Sequence, residues 1–88
     1  MFFESKRSES DIVHNILVET RKGAKKTQLV YNAKMSNTQL NKYLGRLIEQ
    51  DFIQEKKDNG NNTLYYTTEK GKKMDAVLKQ ALALISES

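Results

Sequence analysis

The side chains best suited to chemistry lie between residues 37 and 50, where amides, hydroxyls, lysine and arginine alternate with apolar residues. Amide side chains suit the edge of adenine, arginine suits guanine, and lysine neutralises phosphates. This mixture therefore predicts contact with a nucleic acid. The candidate residues are Asn37, Thr38, Gln39, Asn41, Lys42 and Arg46.

An amphipathic helix is the element that would position these groups. Ser36, followed three residues later by Gln39, fits a capping box and predicts a helix that begins at Asn37. Its polar face carries Thr38, Lys42, Gly45 and Glu49. The apolar stripe on the other face, at spacings i, i+3, i+4, i+7 and i+8, comprises Leu40, Tyr43, Leu44, Leu47 and Ile48.

A shorter helix is predicted over residues 25–33, with Leu29, Val30 and Ala33 facing inward. A turn at residues 33–36 joins it to the next helix, and the pair makes a helix-turn-helix candidate. Free backbone N–H groups at its basic start would suit a phosphate, although an ordinary helix start is an equal alternative. Tyr31 could pack in the core or reach a phosphate. The residues at this start are Lys25, Lys26 and Thr27.

A β-hairpin is predicted directly after the helix-turn-helix. The first strand begins at Phe52, residues 57–62 are rich in turn formers that include Asn59-Gly60, and residues 63–67 favour a returning strand. A hairpin in this position is typical of a wing that reaches DNA, and the alternative is a solvated loop without a ligand. The residues at or near its tip are Lys56, Lys57, Asn59, Asn61 and Asn62.

The first helix is predicted from a cap-like Ser8 with Asp11, and Gly23 is expected to end it. His14 is expected on its solvated side, and no metal role is expected for it because the sequence contains no second histidine and no cysteine. The apolar face comprises Ile12, Val13, Ile16, Leu17 and Thr20.

The last helix is predicted to open at Thr68, a hydroxyl cap, and Glu69. Its apolar surface is wider than docking on one domain requires, which favours pairing with a second copy of the chain over a core-only helix. Two heptads alone are marginal, so the domain body would have to help. The predicted dimer interface comprises Met74, Val77, Leu78, Ala81, Leu82, Leu84 and Ile85.

The chain as a whole is short and basic. Its 88 residues with a net charge of +4 suit one compact unit, in which residues 8–67 form the DNA-binding part and residues 68–86 the dimerisation helix. The absence of cysteine excludes disulfides and thiol chemistry, and no apolar run approaches the length of a membrane span. Residues 21–50 carry one acidic side chain, Glu49, and seven basic ones, Arg21, Lys22, Lys25, Lys26, Lys34, Lys42 and Arg46.

The ordered set of features resembles the winged helix-turn-helix proteins. The stretches that carry the resemblance are GAKKTQLVYNAKMSNTQLNKYLGRLIEQDFI and YYTTEKGKKM. The chain is most similar to the small archaeal branch, in which a long C-terminal helix pairs in an antiparallel coiled coil. The resemblance implies a mainly α fold with a β-hairpin, a recognition helix at residues 37–50 in the major groove, and a wing at residues 56–62.

The function expected from these features is binding of double-stranded DNA by a homodimeric transcription regulator in the cytoplasm, associated with the nucleoid. A general architectural, chromatin-type binder is an alternative, and so is a winged helix used only for protein–protein contact. An enzyme has little support, since no phosphate loop and no Ser/His/Asp set is present. We expect no cofactor, no metal and no membrane partner, and nothing in the sequence marks a small-molecule ligand.

Overall fold

Four helices and one antiparallel hairpin make up the computed structural model, which describes residues 9–87. This architecture confirms the predicted winged helix-turn-helix fold, mainly α with a β-hairpin. The hairpin pairs Ile53 with Thr67 and Lys57 with Thr63. The elements are α1 (Glu9–Glu19), α2 (Lys26–Ala33), α3 (Asn37–Glu49), β1 (Ile53–Lys57), β2 (Thr63–Thr67) and α4 (Glu69–Glu87).

One hydrophobic core forms where α1, α2, α3 and the hairpin meet. The predicted stripe of α3 points into it, with four residues buried and Ile48 half-buried at its edge. Leu29 and Ala33 anchor α2 as predicted, whereas Tyr31 is 83% exposed and therefore lies outside the core. The buried residues from α1, α3 and the strands are Ile12, Ile16, Leu17, Leu40, Tyr43, Leu44, Leu47, Ile53 and Tyr65.

The end of α1 differs from the prediction. The helix ends at Glu19 rather than at Gly23, and the next residue, Thr20, is hydrogen-bonded to Thr67 at the end of β2. The Thr20 carbonyl accepts the Thr67 N–H at 3.0 Å, and the two buried hydroxyls lie 2.6 Å apart. The cap proposed at Ser8 lies outside the described residues.

The segment between α1 and α2 joins the sheet, which the sequence did not predict. Ala24 pairs with Tyr65 through two hydrogen bonds. The Ala24 N–H donates to the Tyr65 carbonyl with an N to O distance of 3.1 Å, and the Tyr65 N–H donates to the Ala24 carbonyl at 2.9 Å. The preceding residue, Gly23, has φ +92°, and a Cβ there would approach the Tyr66 ring to 2.7 Å. Glycine suits this position because φ +92° is strained for any other residue, and a side chain here would also have to displace the end of the Tyr66 ring.

His14 does not lie free on the solvated side of α1, as the sequence suggested. Its side chain is only 24% exposed, and Nδ1 lies 2.5 Å from Oδ1 of Asp75 on α4. Asp75 itself is only 1% exposed, so its carboxylate is buried at this contact. The contact with Asp75 places His14 at the junction between α1 and α4, and no local pattern in the sequence predicts this pair.

The two apolar rows of α4 face different surroundings. Met74 and Leu78 pack against the domain's own core, and Leu82 is half-buried. Val77, Leu84 and Ile85 are 63% to 69% exposed. The predicted interface is therefore divided between an inward row with Met74, Leu78 and Leu82 and an outward row with Val77 and Leu84. Ile85, seven residues after Leu78, lies in line with the inward row although it is exposed. Within residues 9–87, no helix has the length and apolar character that crossing a membrane requires.

Candidate nucleic-acid interface

The polar face of α3 begins at a hydroxyl cap. The Ser36 Oγ accepts the Gln39 backbone N–H at 3.1 Å, which fixes the predicted first residue, Asn37. Burial of the apolar stripe turns the opposite side of the helix outward. Gly45 lies on that side with no atom within 4 Å of a built Cβ, so nothing in the domain obstructs an approaching ligand there.

All the candidate DNA-contacting residues of the sequence are exposed. They lie on three elements: the start of α2, the outer side of α3, and the hairpin with its loop. Fourteen exposed polar or basic side chains on three elements can contact an extended anion. They are Lys25, Lys26, Thr27, Asn37, Thr38, Gln39, Asn41, Lys42, Arg46, Lys56, Lys57, Asn59, Asn61 and Asn62.

The start of α2 lies against the hairpin. The Ala24–Tyr65 pairing brings these two parts together around an open polar cavity of about 470 Å³. The Lys25 backbone N–H donates to Gln28 Oε1 at 2.9 Å, so a side chain that the sequence did not single out caps this turn. Two ammonium groups and an amide thus border one depression. The lining residues are Lys25, Lys26, Thr27, Asn62, Thr63 and Tyr65.

The phenol of Tyr65 lines this depression in its neutral form. Burial raises its pKa above the ordinary value of 10.0, and the Glu55 carboxylate raises it further. Glu55 is the direct cross-strand partner of Tyr65 in the hairpin. The base of the wing therefore adds no negative charge from Tyr65 at neutral pH.

The loop of the wing is organised by one carboxylate, Asp58. Its Oδ1 accepts the backbone N–H of Gly60 at 2.8 Å and that of Asn62 at 2.9 Å. The hydrogen bond from the Asn62 backbone is the main cause that lowers the pKa of Asp58 below 3.8, and the Lys25 charge adds to it. The hairpin is as predicted, but the left-handed residue is Asn61, with φ 70°, rather than the Asn-Gly pair.

The lysines of the wing are exposed, and one of them also contacts an aromatic ring. Lys56 Nζ lies 5.5 Å from the centre of the Tyr66 ring, a distance at which the ring attracts the cation. Lys56 and Lys57 remain exposed at the end of β1. Their charges are therefore available to a ligand beside the loop.

Arg46 stands apart from the depression at the wing. It borders a different cavity, of about 340 Å³, between α1, α3 and the start of α4. The floor of that cavity is mainly apolar, formed by side chains such as Val13, Leu47 and Met74. Arg46 thus lies on the flank of the α3 face that is nearer to α4. Within the described residues, no group of three His, Asp or Glu side chains could hold a metal ion.

A family model described as winged helix-turn-helix matches residues 6–86. No curated protein sequence matches the chain. Sso10a-2, a DNA-binding protein from Sulfolobus solfataricus, has a similar structure with a TM-score of 0.81 and 21% identity, over 92% of this chain and 84% of that one. SSV1 F-93 gives a TM-score of 0.71 and 24% identity, over 96% of each chain.

The PcaV transcriptional regulator from Streptomyces coelicolor, solved in complex with its natural ligand, is also similar. Its TM-score is 0.78 and its identity 17%, over 96% of this chain and 60% of PcaV. At such identities the likeness concerns the fold alone. The chain spans less than two thirds of PcaV.

Proposed function

Because the chain belongs to the winged helix-turn-helix family, we propose that it is a homodimer that binds double-stranded DNA and regulates transcription. The observation that carries this proposal is the set of exposed polar and basic side chains on α2, α3 and the wing. The helix at residues 37–49 would lie in the major groove as the recognition helix. The wing at residues 56–62 would follow the backbone or the minor groove.

Contacts with phosphates would supply most of the affinity. Such contacts release counterions from the duplex, so binding must weaken as salt rises. The depression between α2 and the wing is suited to a phosphate, since it is bordered by two lysines and by N–H groups of a helix start. The cations assigned to phosphates are Lys25, Lys26, Lys42, Arg46, Lys56 and Lys57.

Any reading of base sequence would come from α3. The amides of Asn37, Gln39 and Asn41 suit adenine, and Arg46 suits guanine. Replacing Arg46 with alanine should cost about 1–3 kcal/mol at a preferred site if it pairs with a guanine. An equal loss on every duplex would instead make Arg46 a phosphate contact.

The homodimer is supported by the exposed apolar residues of α4. Val77, Leu84 and Ile85 are large apolar residues on a helix whose inward row already packs on the core. Exposed apolar rows of this kind mark contact surfaces. Ala81 lies on the outward row as well and would allow two such helices to approach closely. Two recognition helices would then address half-sites about one helical turn apart, or a multiple of it.

The test is binding of the purified chain to random and to genomic duplexes, each measured at a low and a high salt concentration. A preference for one genomic fragment, combined with a steep salt dependence, is the expected result for a regulator. Equal, salt-dependent binding to all duplexes would replace the regulator with a general architectural binder. The absence of binding to any duplex at low salt would contradict the DNA-binding proposal. The basic surface would then be assigned to contact with an acidic protein partner.

A further inference from the structure

The buried carboxylate of Asp75 uses both of its oxygens to hold α1. Oδ1 lies 2.5 Å from His14 Nδ1, and Oδ2 accepts a hydrogen bond of 3.0 Å from Arg21 Nη2. His14 lies within α1, and Arg21 follows in the turn after it, seven residues later. Asp75 therefore contacts two points along the same side of that segment. We call these three residues the Asp75 clasp.

An apolar side chain would be the ordinary occupant of this position on α4. Met74 and Leu78, on either side of Asp75, contribute to the core in that way. A buried carboxylate costs desolvation and adds little net stability even when it is paired. Its hydrogen bonds, however, require one rotation and one register of α4 relative to α1, whereas apolar contacts tolerate several.

The start of α4 is held separately, at the corner between α3 and β1. The Thr68 hydroxyl donates to the Asp51 carbonyl at 2.6 Å, and Lys70 Nζ donates to the Gln50 carbonyl at 2.8 Å. A Cβ on Gly71 would meet the Phe52 carbonyl oxygen at 2.2 Å, so the helix passes closely over this corner. Two separate attachments, the corner and the clasp, thus define the direction of α4.

The remainder of α4 acts as a lever. The helix extends about 18 Å from Asp75 to Glu87, and a tilt of about 10° at the clasp displaces its end by about 3 Å. Most of the outward apolar row lies on this part of the helix. In a dimer built on that row, the angle of α4 sets the separation of the two recognition helices.

We propose that Asp75 is a positioning residue that sets the distance between the two DNA-contacting faces of the dimer by holding α4 at one angle to α1. This role rests on the homodimer proposed above. It makes the clasp a determinant of which half-site spacing the protein accepts, although its three residues lie on α1, the following turn and α4 rather than on α3.

The experiment measures the distance between spin labels in the dimer. The chain contains no cysteine, so Tyr31→Cys on the exposed side of α2 gives one label per protomer. In the labelled parent, pulsed dipolar spectroscopy should give one narrow distance distribution. Asp75→Asn, which keeps the volume of the side chain but removes its charge, should broaden that distribution and shift it by about 3 Å.

A matched control removes a carboxylate from the same helix without touching α1. Glu69→Gln should leave the distribution unchanged, because Glu69 is exposed and pairs only with Lys72 among the contacts described. Arg21→Gln is the second test variant. Its side chain is 50% exposed, so its loss spares the core and should give a smaller shift in the same direction.

The outcomes separate the two proposals. Circular dichroism shows which variants are folded, and Arg21→Gln decides the question if Asp75→Asn does not fold. An unchanged distribution in folded clasp variants would overturn the positioning role and leave the homodimer standing. An absence of dipolar coupling in the parent would contradict the homodimer itself, and the role of Asp75 would fall with it.

Discussion

Asp58 and Asp75 are both carboxylates that accept several hydrogen bonds, yet their surroundings are opposite. Asp58 is exposed at the wing and bonds to residues two and four positions away. Asp75 is buried and bonds to residues 54 and 61 positions away. The exposed carboxylate shapes one loop, whereas the buried one joins two helices.

Access to water explains why the two carboxylates should differ in their contribution to the free energy of unfolding. Around Asp58, solvent replaces any hydrogen bond that the loop loses. Around Asp75, solvent is excluded, so removing the carboxylate leaves a buried gap and takes away the partner of the largely buried His14, whereas the half-exposed Arg21 can turn to water. A broken buried pair costs several times more than the pair contributes when it is intact.

The largest effect should follow from Asp75→Ala. We expect it to lower the free energy of unfolding by about 3–5 kcal/mol, since it breaks a buried charged network. Urea denaturation of this variant beside Asp58→Ala measures the difference. Asp58→Ala should unfold at the same urea concentration as the parent. Equal losses in the two variants would show that burial is not what separates the two carboxylates.

A smaller effect should follow from removing one partner of Asp75. Arg21→Gln should cost about 1 kcal/mol, because the half-exposed guanidinium keeps part of its hydration and solvent weakens the pair. His14→Gln should cost more, as His14 is the more buried partner. A double-mutant cycle with Asp75→Asn measures each coupling. Additive losses would show that the clasp does not act as one unit.

A local effect should follow from Asp58→Ala. The amide protons of Gly60 and Asn62 lose their acceptor, so their exchange with solvent should accelerate. Exchange in α3 and α4 should not change. Hydrogen exchange followed by NMR measures both regions in one sample, and faster exchange throughout the domain would show that the wing loop supports the whole fold.

The smallest effect should be the response of the wing loop to acid. The pKa of Asp58 is lowered in the folded state, chiefly by the Asn62 N–H, so its carboxylate favours the folded loop fully above the ordinary value of 3.8. That contribution is lost as the pH falls through the lowered pKa. The amide shifts of Gly60 and Asn62 should therefore stay constant down to about pH 4 and change below it. A change near neutral pH would contradict this assignment.

Most of the fold could be predicted because its signals are local. The Ser36 cap and the stripe of α3 lie within one segment, and the hairpin follows from residues adjacent in the chain. The Ala24–Tyr65 pairing and the Asp75 clasp could not be predicted, because their partners lie far apart in sequence.

The two rows of α4 illustrate the same limit. Both are apolar at helical spacing, so the sequence alone does not say which row faces inward. In the folded chain, the inward side of α4 is the side on which Gly71 packs against the Phe52 carbonyl and Asp75 contacts Arg21 after α1. The candidate site was predictable as a set of exposed residues, but its division between the wing depression and the flank near Arg46 was not.

The hydrogen bond from the Gly60 N–H to Asp58 affects how fast the preceding residue, Asn59, loses its side-chain amide. In an exposed Asn-Gly pair, the glycine nitrogen can attack the asparagine side chain, release ammonia and form a succinimide, which water opens to aspartate or isoaspartate. Here that nitrogen is held at 2.8 Å from a carboxylate, which disfavours the deprotonation that the attack requires. The carboxylate that shapes the loop therefore also slows the ageing of Asn59, and with it the gain of a negative charge on the surface proposed to meet DNA.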